Sequence, residues 1–173
     1  QIELFLDMAW NLDAVKQEGV VAHQRHFLER EFGTEIAERL HPILQKHYRL
    51  AYIRKPEFMG NTRTEERNPA YKVISDLPWS EAEIQERLSD YKQLSDGVEK
   101  LWNKVPEERK AAYFQLAKYP VQAATQMNRK LLTAQLARHG KAGWADSDLA
   151  FDSIASLTKT YNNGKWNRIM DFQ

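Results

Sequence analysis

The chain has 173 residues, with 25 Lys and Arg against 24 Asp and Glu and no cysteine. That length suits one domain, two small ones at most, and can bury a core of its own. A net charge of +1 gives no support for a polyanion-binding protein, and the missing cysteines exclude disulfides, thiolate metal sites and cysteine nucleophiles.

No apolar run approaches the ~20 residues of a membrane span. Ala and Leu number 18 and 17 while Gly numbers 7, a helix-rich composition. The chain opens directly on Ile2-Glu3-Leu4-Phe5-Leu6 and ends as abruptly on Asp171-Phe172-Gln173, as expected of a piece cut from a longer polypeptide. Residues 2–10 read as a short apolar leading segment of one or two helical turns. A helix is expected from about 13 to 32, ended by Gly33, with Thr34 as the N-cap of the next. That next helix carries Ile36, Leu40, Ile43, Leu44, Tyr48 and Ala51 on one side, and Pro42 should kink or split it. Lys55-Pro56 and Gly60 close the block.

Residues 60–79 form the longest stretch without a helical period. A loop of that length inside a compact domain is often functional, and the alternative is a plain surface connection. Ser80-Glu81-Ala82-Glu83 is a capping-box pattern. It opens a helix whose apolar stripe is Ile84, Leu88, Tyr91, Val98, Leu101 and Val105. Pro106 stops that helix or opens the next. Glu107 to Lys118 follows, with a break at Tyr119-Pro120, and then an Ala- and Leu-rich helix from Val121 to His139. Asp146 or Ser147 caps a last helix with Ala150, Ile154, Leu157 and Tyr161 inward, and Asn162-Asn163-Gly164 forces a turn. The fold class is therefore all-α, an antiparallel bundle of about five to seven helices with one long irregular loop.

The chemistry-bearing patterns are thin. His23 and His26 share a helix face, and Glu38-Arg39-Leu40-His41 has the Glu-x-x-His spacing of di-iron bundles. Such sites need a second copy and two further Glu, so no metal ligand is assigned. There is no Gly-x-Gly-x-x-Gly, no Walker loop and no Gly-x-Ser-x-Gly elbow. The basic pairs Arg54-Lys55 and Arg129-Lys130 are isolated, a weak nucleic-acid footprint. Glu65-Glu66 are adjacent in the loop and do not suggest two carboxyls facing across a scissile bond. Five tryptophans are many for this length. Packing is their expected role, with Trp79 and Trp144, beside loops, the exceptions.

Three segments in order carry a resemblance. Leu4-Phe5-Leu6-Asp7-Met8-Ala9-Trp10-Asn11 resembles the segment just after the catalytic domain in glycoside hydrolase family 115. Tyr48-Arg49-Leu50 followed by Arg54-Lys55-Pro56-Glu57-Phe58-Met59-Gly60 looks like that family's motif at the end of a long helix. Tyr161-Asn162-Asn163-Gly164-Lys165-Trp166-Asn167 with Met170 looks like its junction with a last, β-rich domain.

The resemblance implies a helical domain of a multidomain xylan α-1,2-glucuronidase, which releases glucuronic acid, often 4-O-methylated, by inverting hydrolysis without a metal or cofactor. Residues 1–12 would be a leading segment from a preceding domain, 13–163 the bundle, and 164–173 the exit to a following domain. The family's catalytic carboxylates lie in its barrel-like domain, so no catalytic residue is placed on this chain. The bundle would pack on that barrel, support a homodimer and lend a loop to the substrate pocket. Within that loop, Arg63 and Arg67 would pair with the substrate carboxylate, and Asn61, Glu65 and Asn68 with sugar hydroxyls; the alternative is that the two arginines pair with Glu65, Glu66 or another domain. Glucuronoxylan or a related glucuronylated glycan is the implied partner, with no nucleic acid and no membrane, in a periplasmic or secreted enzyme. The reading from another class is a non-enzymatic helical protein-interaction module. An independent metal-bundle oxidoreductase is a third.

Overall fold

Glycine and proline decide where the rods of this chain start and stop, and the computed structural model describes them over residues 2–59 and 76–160. The α-helices are α1 (Ile2–Trp10), α2 (Leu12–Glu18), α3 (Val20–Phe32), α4 (Thr34–Ile53), α5 (Glu81–Trp102), α6 (Glu107–Tyr113), α7 (Tyr119–Arg138) and α8 (Ala145–Thr160). A 3₁₀ turn, Pro56–Phe58, follows α4, and a π turn, Phe114–Lys118, joins α6 to α7. No strand occurs among the described residues, so the chain is the all-α bundle that its sequence implies.

Several boundaries differ from expectation. The helix expected over 13–32 is two helices, because Gly19 sits at φ 84° and ψ 144°, where a side chain is strained, and separates α2 from α3. Gly33, at φ 83° and ψ 158°, ends α3 as expected, and its N–H donates to the Glu29 carbonyl. Thr34 is not the N-cap; Gly33 holds that position and Thr34 is already helical.

Pro42 does not split α4, which runs through it. An interior proline costs about 3 kcal/mol. On either side of it, Ile36, Leu40, Leu44 and Leu50 are buried, and each is worth about 1.5–3 kcal/mol, so packing outweighs the missing bond. The inward face is turned slightly from the expected one. His47 is buried, whereas Tyr48 lies 42% exposed.

Tyr119-Pro120 does not break the chain either. The π turn shifts the ladder so that the Tyr119 N–H reaches the Phe114 carbonyl, and the proline falls in the first turn of α7, where its missing N–H has no helical use. Counting α6, the π turn and α7 as one rod leaves seven among the described residues. α8 begins ahead of its expected caps. The Trp144 carbonyl accepts from the Ser147 and Asp148 N–H groups, and the Ser147 hydroxyl bonds the Lys130 carbonyl instead.

Long-range pairs fix the directions. Lys104 meets Glu35 and Lys46 meets Asp90, so α4 and α5 are antiparallel. Tyr113 donates to the Val98 carbonyl at 2.9 Å, and Ile84 clusters with Leu132 and Leu136, so α5 and α7 are antiparallel too. Arg129 meets Asp146, folding α8 back along α7. The larger core joins Leu28, Phe32, Leu40, Leu44, Tyr91, Val98, Tyr113 and Val121. A smaller cluster, Met59, Leu77, Ile84, Leu132 and Leu136, lies where α4 ends, α5 begins and α7 ends.

The capping box is formed as read. The Glu83 N–H donates to Ser80 Oγ at 3.3 Å, and the Ser80 N–H donates back to Glu83 Oε2 at 2.7 Å. The expected stripe of α5 is buried or half-buried, but Arg87 shares its face.

Among the tryptophans, Trp144 is 54% exposed, in line with its place beside a loop, while Trp10, expected to pack, is 93% exposed. No described helix is long and apolar enough to cross a membrane.

Candidate functional site

The end of the bundle that bears the smaller cluster is also where the described chain stops at Met59 and resumes at Asp76. The loop's expected ligands, Asn61, Arg63, Glu65, Arg67 and Asn68, lie outside the described residues. Both of its stems are within them and are held tightly. On the outgoing side, Met59 is buried and its N–H donates to the Pro56 carbonyl at 3.2 Å.

On the returning side, the Gln135 amide on α7 pairs with both backbone groups of Leu77. The Leu77 N–H donates to Oε1 and Nε2 donates to the Leu77 carbonyl, each at 3.0 Å. This copies the two-bond pairing of neighbouring strands with a single side chain. Asp76 accepts from Arg138 and lies 2.5 Å from His139 Nε2, and these hydrogen bonds, Arg138 first, hold its carboxyl below the usual range.

Between the stems sits Arg87, only 6% exposed. Its Nη2 donates to the Arg54 carbonyl at 2.9 Å, Nη1 and Nη2 share the Leu50 carbonyl at 3.3 Å, and Nε donates to Asn128 Oδ1 at 2.7 Å. Leu50 lies in the last turn of α4 and Arg54 is its C-cap, at the helix end where a cation is favoured, and the Leu50 carbonyl also accepts from the Arg54 N–H at 3.1 Å. The guanidinium carbon lies 4.9 Å from the Trp79 ring centre and 5.1 Å from that of Tyr91. Burial lowers the Arg87 pKa and raises that of Tyr91, though an arginine stays charged in a protein.

Beside Arg87 a cleft of about 750 Å³ opens between α4 and α5. Lys46 and Arg49 line its α4 wall, and Glu83, Glu86 and Asp90 its α5 wall. Lys46 Nζ meets Asp90 Oδ1 at 2.5 Å. The charged groups that line the cleft are of mixed sign.

The histidines do not assemble. His23 Nε2 lies 2.7 Å from Asp7 Oδ2, His26 Nδ1 lies 2.6 Å from Glu18 Oε1, and His41 Nε2 neighbours the Gln45 amide. Glu3, Asp7 and His23 have ligand atoms within 4.8 Å of one another. Arg30 Nη2 already occupies both oxygens of Glu3, at 2.6 and 2.7 Å. That ion pair makes the cluster part of the α1–α3 contact.

Sequence reasoning missed Arg87, Asn128 and Gln135. Arg87 did leave a signal: it stands three residues after Ile84 and four before Tyr91, a charge inside an apolar stripe. Asn128 and Gln135 gave none, because their partners are distant in the chain.

The model of Glycosyl hydrolase family 115 matches residues 1–58. No curated protein matches the chain. A solved structure matches over 99% of it with 67% identity and a TM-score of 0.93, and is described as a novel family 115 4-O-methyl-α-glucuronidase with specificity for decorated arabinogalactans. This chain is a segment belonging to Glycosyl hydrolase family 115. It spans 23% of the length of that solved chain. Within this family 115 segment, the region of the sequence resemblance and the buried polar junction around Arg87 meet at the end of α4, since Leu50 and Arg54 both belong to the second quoted motif.

Proposed function

We propose that this segment is the helical domain of an α-glucuronidase that removes glucuronic or 4-O-methylglucuronic acid from a decorated plant glycan. The observation that carries the reading is the 67% identity, over nearly the whole chain, to an enzyme described as a 4-O-methyl-α-glucuronidase. Glucuronoxylan and glucuronylated arabinogalactan are both candidate substrates. The hydrolysis is inverting: a carboxylic acid protonates the leaving oxygen while a carboxylate activates water on the opposite face. Both groups belong to the barrel-like domain elsewhere in the polypeptide, and the enzyme is periplasmic or secreted.

The helical domain serves as a support. Residues 1–12 lead in from the preceding domain, 13–163 form the bundle, and 164–173 lead out. Exposed apolar residues on α1 (Ile2, Phe5, Leu6) and on α8 (Leu149, Phe151) supply faces for neighbouring domains or a second subunit. The segment held between Met59 and Asp76 reaches the pocket. There Arg63 and Arg67 face the uronate carboxylate, for which a guanidinium fork is well shaped, and Asn61, Glu65 and Asn68 face sugar hydroxyls.

In the intact enzyme, Arg63→Ala and Arg67→Ala should each lower kcat/KM on a glucuronylated glycan, with the larger effect in KM. Wild-type kinetics in both would remove the substrate-contacting role.

A further inference from the structure

Each wall of the cleft between α4 and α5 is a single helix face. Lys46, Arg49 and Ile53 recur at steps of three and four along α4, and Glu83, Glu86 and Asp90 do the same along α5. The helices are antiparallel, so the charges stand in opposite order. Lys46 closes the gap onto Asp90 at 2.5 Å, and Glu83 is engaged by the Ser80 N–H and hydroxyl, each at 2.7 Å. One turn on from Lys46, Arg49 and Glu86 face the same space from opposite walls and do not close it. Both are exposed, and among the described residues neither has a hydrogen bond or an ion pair. The opening of about 750 Å³ is within the usual size of a small-ligand site.

The lining adds two further properties. Arg87, only 6% exposed, carries a charge whose hydrogen bonds all go to neutral acceptors, the Leu50 and Arg54 carbonyls and Asn128. Its charge has no carboxylate partner among the described residues and adds to that of Arg49. Trp79, half-buried, and Ile53, 60% exposed, give the cleft an apolar border. The ligand that answers all of these groups has one carboxylate, adjacent hydroxyls and an apolar ring face. A phosphate ester would meet repulsion from Glu83 and Glu86, and a neutral sugar would leave Arg49 and Arg87 unanswered.

We infer that this cleft is a subsite for a uronic acid unit of the glycan. Arg49 takes the carboxylate on its guanidinium fork, and Glu86 accepts from two neighbouring ring hydroxyls. Trp79 and Ile53 meet the apolar face of the ring. Arg87 acts through its charge. The assignment rests on the proposed reading that the enzyme works on a glucuronylated glycan.

The test uses the intact enzyme, titrated calorimetrically with D-glucuronate and with glucose at neutral pH. The variants are Arg49→Ala, Arg49→Lys and Glu86→Ala, each at an exposed side chain, with folding checked by thermal unfolding. Loss of a charge-assisted contact should weaken glucuronate binding about tenfold in Arg49→Ala and about fivefold in Glu86→Ala. Arg49→Lys should fall between wild type and Arg49→Ala, because an ammonium keeps the charge and loses the fork. Glucose should bind more weakly than glucuronate to the wild type, and Arg49→Ala should leave its binding unchanged. Crystals of the intact enzyme soaked in glucuronate should hold the sugar between Arg49 and Glu86.

Unchanged glucuronate affinity in both alanine variants would overturn the inference, as would soaked crystals with no sugar in the cleft. A lowered melting temperature as the sole effect would do the same, and would assign the two charges to ion pairs with a neighbouring domain. Uronic acid release tests the underlying reading separately. An enzyme that binds glucuronate in the cleft but frees none from either glycan would keep the subsite and overturn the proposed activity.

Discussion

Replacing Gln135 with methionine isolates the clamp on the returning stem. The two side chains are similar in length, so Gln135→Met opens little cavity and removes two hydrogen bonds, each 3.0 Å long. The consequences for Leu77 are unequal. Its carbonyl keeps the Trp79 N–H at 2.8 Å, whereas its own N–H, at a residue 9% exposed, is left without its partner. An orphaned buried N–H costs about 1–3 kcal/mol and the lost amide-to-carbonyl bond about 1 more, offset in part by the apolar methionine. The expected loss is about 2–3 kcal/mol, or roughly 4–12 °C in melting temperature for a chain of this size. Urea unfolding of the 173-residue chain measures the first figure and thermal unfolding the second. Hydrogen exchange at the Leu77 amide supplies the local check, and it should quicken at least tenfold relative to core amides of α5. A loss below about 0.5 kcal/mol with Leu77 still protected would refute the reasoning, since the amide could not then be the group that holds the stem.

Other outcomes follow from single features. Gly33→Ala should destabilise by about 1–3 kcal/mol, read in urea, because φ 83° with ψ 158° is a glycine-only conformation. Ser80→Ala should cost about 1 kcal/mol through the lost cap, and Glu83→Gln less, because an amide can still accept from the Ser80 N–H. Burial lowers the His47 pKa from 6.5, and its Nδ1 is buried without a hydrogen-bond partner among the described residues. As pH falls through 6.5 the unfolded chain therefore takes up this proton before the folded one. Stability present above that pH is lost on acidification, and His47→Leu should flatten the loss in a series of urea titrations from pH 7.5 to about 5.

What could be read from the sequence was mostly local. Ser80 and Glu83 are three residues apart, and the box they form depends on nothing else. Gly33 likewise announces itself between two helical periods. The failures came where tertiary packing or backbone shape decides. Pro42 and Pro120 look like breaks because a proline removes a known bond. The four aliphatic side chains around Pro42 and the π turn before Pro120 were not legible one residue at a time. Gly19 resembles any tolerated helical glycine until its φ is known. At the candidate site, Trp79 ahead of the capping box was visible, while most of the loop read over 60–79 lies outside the described residues. The clamp was not, because Arg87 meets Asn128 and Gln135 meets Leu77 across helices that only the fold brings together.

The central claim is that this bundle supports a glucuronidase whose cleavage chemistry is supplied from elsewhere in the same polypeptide. Release of free uronic acid measures it directly, with the intact enzyme and the 173-residue chain incubated separately with glucuronoxylan and with glucuronylated arabinogalactan. The account predicts release by the intact enzyme from at least one glycan and none by the chain alone. Release by the chain alone, or an intact protein that leaves both glycans unchanged, would contradict it.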